Sequence, residues 1–188
     1  MLILIDANVL FSKILLTLLL DMANNEIFTF LWSNKILQET SKNLKLKQKI
    51  SNPNSVDKLI ADIEFSFALS EVHVHEYTTL EKDLVRTDQK DKHVLAAAAI
   101  GGAKYLVTFN LSDFDNNEAQ SHDVIVIHPD IFLCTLLELK TSDVLESIKS
   151  SRTRQTRPTQ TESELLERLR ISKVSKFADE LSQYLGQF

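Results

Sequence analysis

The sequence predicts an α/β fold: a three-layer α/β/α arrangement with a mostly parallel central sheet, followed by a small all-helical carboxyl-terminal extension. Three observations carry this. The short apolar runs 2–5, 28–31, 105–107 and 124–127 have the composition of strands covered on both faces. Segments with apolar residues at helical spacing separate these runs, and such alternation argues for a parallel sheet with helices on both sides. From Thr141 onward the pattern is only helical. The expected division is therefore residues 1–140 as the α/β domain and 141–188 as the helical extension.

The chain has 188 residues, 44% hydrophobic, with only three prolines and three glycines. A domain of this size buries a core large enough to fold without a disulfide or structural metal. Cys134 is the single cysteine, so no internal disulfide forms. The net charge of −5 argues against a general basic nucleic-acid binder. The imbalance is local: residues 1–140 carry 13 basic and 19 acidic side chains, and residues 141–188 carry 8 and 7. Divalent ions can neutralise such an acidic core locally.

The first strand, Leu2–Ile5, ends in Asp6-Ala7-Asn8. Taken alone, Asp6 reads as the cap of the next helix. Residues 14–20 are apolar, but Lys13 and Asp21 bracket them too closely for a membrane span. The first charged side chain is Asp6, which does not fit the basic start of a signal peptide. A buried first helix and a cytoplasmic protein are expected.

After the second strand, Ser33 caps a helix over 34–47 with Ile36, Leu37, Thr40 and Leu44 on one stripe. Glu39 stands at the border of that stripe. A break at 51–54 leads to Val56, Leu59, Ile60, Ile63 and Phe67 at helical spacing. Lys42, Lys45, Lys47 and Lys49 on this helical hairpin form either an RNA or partner surface, or a soluble helix face. Residues 72–74 read as a short strand, with His73 and His75 as surface side chains.

The rest of the chain is organised around residues 88–114. Asp88 reads as a cap and Asp91 as a carboxylate on the first turn of a helix over 89–100. Gly101 and Gly102 end that helix. The strand 105–107 then delivers Asn110 and Asp113 to its carboxyl end, where open α/β sheets place ligands. Pro129 starts a helix through Leu139. Beyond it come a helix over 142–150, then a polar linker over 151–160 holding Arg152, Arg154 and Arg157. Thr161 and Glu164 have capping-box spacing. A last helix is expected from Ser172, with Val174, Phe177, Ala178, Leu181 and Leu185 on one face.

Three stretches in this order, L-I-D-A-N-V-L, W-S-N-K-I-L-Q-E-T-S-K-N-L and D-K-H-V-L-A-A-A-A with L-V-T-F-N-L-S-D-F, resemble the PIN-domain ribonucleases over residues 1–139. More narrowly they resemble the VapC-type toxins of bacterial toxin–antitoxin pairs. The carboxyl-terminal helices are similar to those of a VapC subgroup with a helical extension.

The resemblance implies four metal-ligating, catalytic carboxylates: Asp6, Glu39, Asp91 and Asp113. It implies Mg²⁺ or Mn²⁺ as the cofactor, because hard oxygen donors suit these ions rather than zinc. Asn8, Asp88, His93, Thr108 and Asn110 would support the site or face substrate, as would Arg152, Arg154 and Arg157 in the extension. Asn110 stands where many PIN domains carry an aspartate, and T-D-Q-K-D departs from the family's D-P-D-D-like run. The implied activity is endoribonucleolytic, with an RNA substrate, a cognate antitoxin and a homodimer as partners. The alternatives are an RNA-processing PIN nuclease without an antitoxin, and a catalytically silent binding module.

Overall fold

The computed structural model of the chain describes residues 1–47, 54–154 and 161–185, with all of their side chains except those of Lys47, Thr153 and Arg154. The fold is α/β, of the three-layer α/β/α kind, with a helical carboxyl-terminal part. Its packing divides into two compact units, Met1–Phe11 with Phe28–Ile127, and Ser12–Ile27 with His128–Phe188.

The first unit holds the sheet. Strands β1 (Leu2–Ile5), β2 (Thr29–Leu31), β3 (Tyr105–Val107) and β4 (Ile125–Ile127) pair in the order β2-β1-β3-β4, all parallel. Ile3, Leu4 and Ile5 are fully buried, as are Leu106 and Val107. Apolar residues on both faces suit a parallel strand covered on both sides. Because the strands are parallel, their carboxyl ends share one edge. The chain leaves β1 towards β2 on one side and returns to β3 on the other. The β1–β3 boundary is therefore the topological switch point.

Helix α1 (Ala7–Leu10) follows β1 directly. In the same unit lie α3 (Asn34–Lys47), α4 (Asn54–Ser66), α5 (Val74–Asp83), α6 (Lys92–Ile100) and α7 (Asn116–Gln120). The expected strand at 72–74 is not formed. Trp32 and Glu71 make an isolated bridge, and Val74 begins α5. The alternation Val-His-Val-His mimics a strand, but His73 and Glu76 close a capping box that starts a helix.

Helix α6 begins at Lys92 rather than near 89 and ends in a Schellman motif. The Ala103 N–H donates to the Ala98 carbonyl at 2.8 Å, and the Gly102 N–H to that of Ala99 at 3.1 Å. Gly102 carries the positive φ of 67° that this turn requires. Gly101 has a different reason: a Cβ there would stand 2.8 Å from Val72 Cγ2 and 2.9 Å from Leu31 Cδ1. Helix α6 packs against β1 and β3 through its alanines, which are fully buried from Ala96 to Ala98.

The second unit is helical: α2 (Lys13–Asn24), α8 (Pro129–Leu139), α9 (Thr141–Arg154), α10 (Glu162–Ile171) and α11 (Ser175–Leu185). Helix α2 packs on α9 and α10, and α8 packs on α9 and α11. The helix 129–139, grouped by sequence with residues 1–140, thus packs within the helical unit. Asn25 Nδ2 donates to Ser147 Oγ at 2.9 Å and Lys140 Nζ to the Ile27 carbonyl at 3.0 Å.

Helix α9 runs through Arg154, so residues 151–154 are helical rather than linker. The capping box of Thr161 and Glu164 is formed. Ser172 ends α10 instead of starting the last helix. Lys173 takes a φ of 64° there, and the Val174 N–H returns to the Leu169 carbonyl at 3.2 Å. Helix α11 starts at Ser175, where the Asp130 carboxylate accepts the N–H groups of Lys176 and Phe177 at 3.1 and 2.8 Å.

Candidate active site

The switch point carries the first carboxylate. Asp6 follows β1 directly, and its amide donates to the Val107 carbonyl at 3.0 Å. As N-cap of α1 it accepts from the Asn8 N–H at 3.4 Å, so the capping role is real. Its second oxygen, Oδ2, does more. It accepts from Asn8 Nδ2 at 2.6 Å and from Thr108 Oγ1, just after β3, at 2.7 Å.

Thr108 is saturated. Its hydroxyl donates to Asp6 and accepts from Asn8 Nδ2 at 2.9 Å and from the Asn110 N–H at 3.1 Å. Asn8 Oδ1 accepts the Phe109 N–H at 3.1 Å. Asn8 and Thr108 therefore bind the ends of β1 and β3 together around one aspartate. Burial pushes the Asp6 carboxyl above its usual range, against the pull of Thr108 and Asn8, and the charge of Glu39 adds to the rise.

The second group enters at the start of α6. Asp91 is the N-cap residue rather than a first-turn residue, and its side chain makes no capping bond. Asp88 instead closes the turn before the helix, accepting the Lys90 N–H at 2.9 Å. Desolvation and the charges of Asp6, Asp113 and Asp88, partly offset by His93, push Asp91 up to about 6. Asp91 thus feels the charge of three acids from three chain segments.

Among the described residues, no group of three or more His, Cys, Asp or Glu side chains is arranged to hold a metal ion. The donor chemistry is all oxygen and fits a hard divalent ion.

Glu39 lies on α3 with its side chain 41% exposed, and its Oε1 is 3.2 Å from His93 Nε2. His93 is buried. Its Nδ1 is buried without a partner, which the tautomer carrying its proton on Nε2 tolerates best. Asn110 and Asp113 bound a short 3-10 turn after β3. In the second unit, Arg152 Nη1 meets Glu162 Oε1 at 3.1 Å. The Arg154 side chain and Arg157 lie outside the described residues.

Sequence reasoning missed Glu118. Its carboxylate accepts the N–H groups of Val85, Arg86 and Thr87 at 2.7, 3.2 and 2.8 Å. Desolvation opposes its ionisation, but the bonding at Thr87, Val85 and Arg86 outweighs that and holds it at about 2. The spacing of Asp115 and Glu118 signals the start of α7, and Asp115 Oδ1 does accept the Glu118 N–H at 2.8 Å. Nothing local signals the loop some thirty residues upstream.

The lysines of the hairpin are partly engaged: Lys35 pairs with Glu81 at 3.2 Å, and Lys45 pairs with Asp57. His73 and His75 are exposed and stack with their ring centres 5.6 Å apart.

Comparison with known proteins places these observations. Residues 2–112, more than half of the chain, match the PIN domain family, and residues 129–183 match the VapC50 C-terminal domain family. A curated relative from Mycobacterium tuberculosis, VapC50, named as an inferred ribonuclease, is 42% identical over 50 residues. That match spans 27% of this chain and 30% of the relative's length. No solved structure matches the chain. The chain belongs to the PIN-domain family, and its carboxyl-terminal part is similar to the VapC50 C-terminal domain.

Proposed function

We propose that the chain is a metal-dependent endoribonuclease and the toxin of a type II toxin–antitoxin pair. The observation that carries this is Asp6, held by Asn8 and Thr108 at the β1–β3 switch point, beside an Asp91 that desolvation and the charges of Asp6, Asp113 and Asp88 push up to about 6. Unneutralised acids at a switch point are poised for a cation, and a strongly perturbed acid in such a place is a functional candidate. The family match and the name of the VapC50 relative support ribonuclease chemistry.

Asp6, Glu39, Asp91 and Asp113 would hold Mg²⁺ or Mn²⁺. When bound, the ion supplies water activation and neutralises charge on the phosphodiester. The chain's own residues prepare the site. Asn8 and Thr108 fix Asp6. His93 orients Glu39. Asp91, pushed up to about 6, holds its proton more tightly than an ordinary carboxylate and would be deprotonated as a ligand. Hydrolysis would leave 5′-phosphate and 3′-hydroxyl ends. Arg152, Arg154 and Arg157 would serve RNA or partner contact. A homodimer, an antitoxin partner and a cytoplasmic site of action belong to the same proposal. None of the described helices is long and apolar enough to cross a membrane.

A silent binding module is the second reading, and an RNA-processing nuclease without an antitoxin is the third. Expression with and without a neighbouring small open reading frame, followed by mapping of RNA ends, separates the readings. New 5′-phosphate ends that disappear on co-expression are expected. Growth arrest without new RNA ends would favour the silent module, and cleavage that no neighbouring gene suppresses would favour an RNA-processing nuclease.

A further inference from the structure

Four consecutive backbone amides, those of Val85, Arg86, Thr87 and Asp88, donate to one short stretch of chain. The first three converge on the Glu118 carboxylate, and the fourth donates to the Asp113 carbonyl at 2.8 Å. Successive N–H groups turned to one side form an anion-binding concavity. Here the anion is supplied by the protein itself. Glu118 is fixed in turn by Asp115, which accepts its N–H, and Asp115 also draws Arg86 Nη1 to 3.9 Å. The segment that delivers Asp88 and Asp91 is thereby hung from the segment that delivers Asp113.

We infer that Glu118 is a positioning residue of the candidate metal site, holding the loop 85–88 so that Asp91 and Asp113 face the same cation. The inference rests on the proposed metal-dependent function. Glu118 need touch neither metal nor RNA. It sets the spacing of two ligands that come from opposite sides of β3. A neutral side chain cannot replace it fully. In Glu118→Gln one acceptor oxygen becomes an NH₂ group, which meets backbone donors head-on. Altered support of metal ligands typically weakens metal binding ten- to a hundredfold.

The test measures Mn²⁺ binding to full-length, chelator-stripped protein by electron paramagnetic resonance, alongside amide hydrogen exchange. Wild type, Glu118→Gln and Val85→Pro are compared. Val85→Pro removes one of the three amides without altering Glu118, and Leu84 already has the extended backbone that precedes proline, with φ −64° and ψ 128°. Glu118→Gln should stay folded, lose exchange protection at residues 85–88 but not in the strands, and bind Mn²⁺ at least about tenfold more weakly. Val85→Pro should show a smaller loss in the same direction, and it decides the matter if Glu118→Gln does not fold. Folded variants that bind Mn²⁺ as wild type does would overturn the inference. Wild-type protein that binds no Mn²⁺ would instead overturn the metal reading. Unchanged protection at residues 86–88 in both variants would then overturn the clamp as well.

Discussion

Asp91 and Glu118 are acids with opposite relations to folding. Asp91 titrates at about 6 in the folded chain against an ordinary 3.8, so the folded state binds its proton more tightly than the unfolded state does. Metal-free protein should therefore lose stability as pH rises from about 4 to about 6. Glu118 is depressed from 4.5 to about 2. Its contribution is fully present above about 4.5 and is lost as pH falls towards 2.

Asp91→Asn removes the first effect. At pH 7 in chelator, its urea midpoint should rise, by roughly 1 kcal/mol of stability once the shift is discounted for solvent screening of a partly exposed carboxylate. RNA cleavage should fall by about 10²-fold or more, the scale of losing one key electrostatic group. Asp88→Asn is the control. Asparagine can still accept the Lys90 N–H, so most activity should remain. Loss of cleavage in Asp88→Asn but not in Asp91→Asn would reverse the two assignments.

At the scale of elements, the turn after α6 fixes how closely that helix approaches the sheet. Gly101→Ala keeps a helical backbone, with φ −71°, but pushes a methyl group into Val72 and Leu31. Overpacking should cost about 1–3 kcal/mol, read as a lower melting temperature. At Gly102 a Cβ meets only Leu2 Cδ1 at 3.8 Å, so Gly102→Ala should cost only the strain of its positive φ, about 1–2 kcal/mol. Equal stability of Gly101→Ala and wild type would contradict this packing.

These elements also define what could be read in advance. The four strands were legible as short apolar runs, although burial on both faces accounts for β1 and β3 and not for β4, where Ile125 is exposed. The start of α6 was misplaced because Asp88 caps a turn, and Asp91, not Gln89, opens the helix. Helix α5 was missed because its first residues alternate like a strand. Asp6, Glu39, Asp91 and Asp113 are singled out as ligands by the family resemblance, since Asp6 taken alone reads as a helix cap. Glu118 could not be singled out, because its partners are distant in sequence and are backbone amides, which leave no trace in composition.

At the scale of the whole molecule, the helical unit is assembled from both ends of the chain, since α2 packs with α9 and α10. Phe177 and Leu169 are fully buried within it. Phe177→Ala should cost about 3–5 kcal/mol. Truncation after Lys140 should expose apolar surface on α2 and α8, and a broad melting transition or aggregation is expected. A sharply melting, soluble fragment 1–140 would show that α2 and α8 need no help from the extension. The acidic site draws only on the first unit among the described residues, so residual metal-dependent cleavage by a folded fragment would fit the account.

The central claim is that carboxylates holding a divalent ion cut RNA. The most direct measurement incubates chelator-stripped full-length protein with RNA, first in EDTA and then with added Mg²⁺ or Mn²⁺, and maps the new ends. The account predicts no cleavage in EDTA, recovery with either ion, and 5′-phosphate ends that Asp91→Asn does not produce. Undiminished cleavage in EDTA, or equal cleavage by wild type and Asp91→Asn, would contradict it.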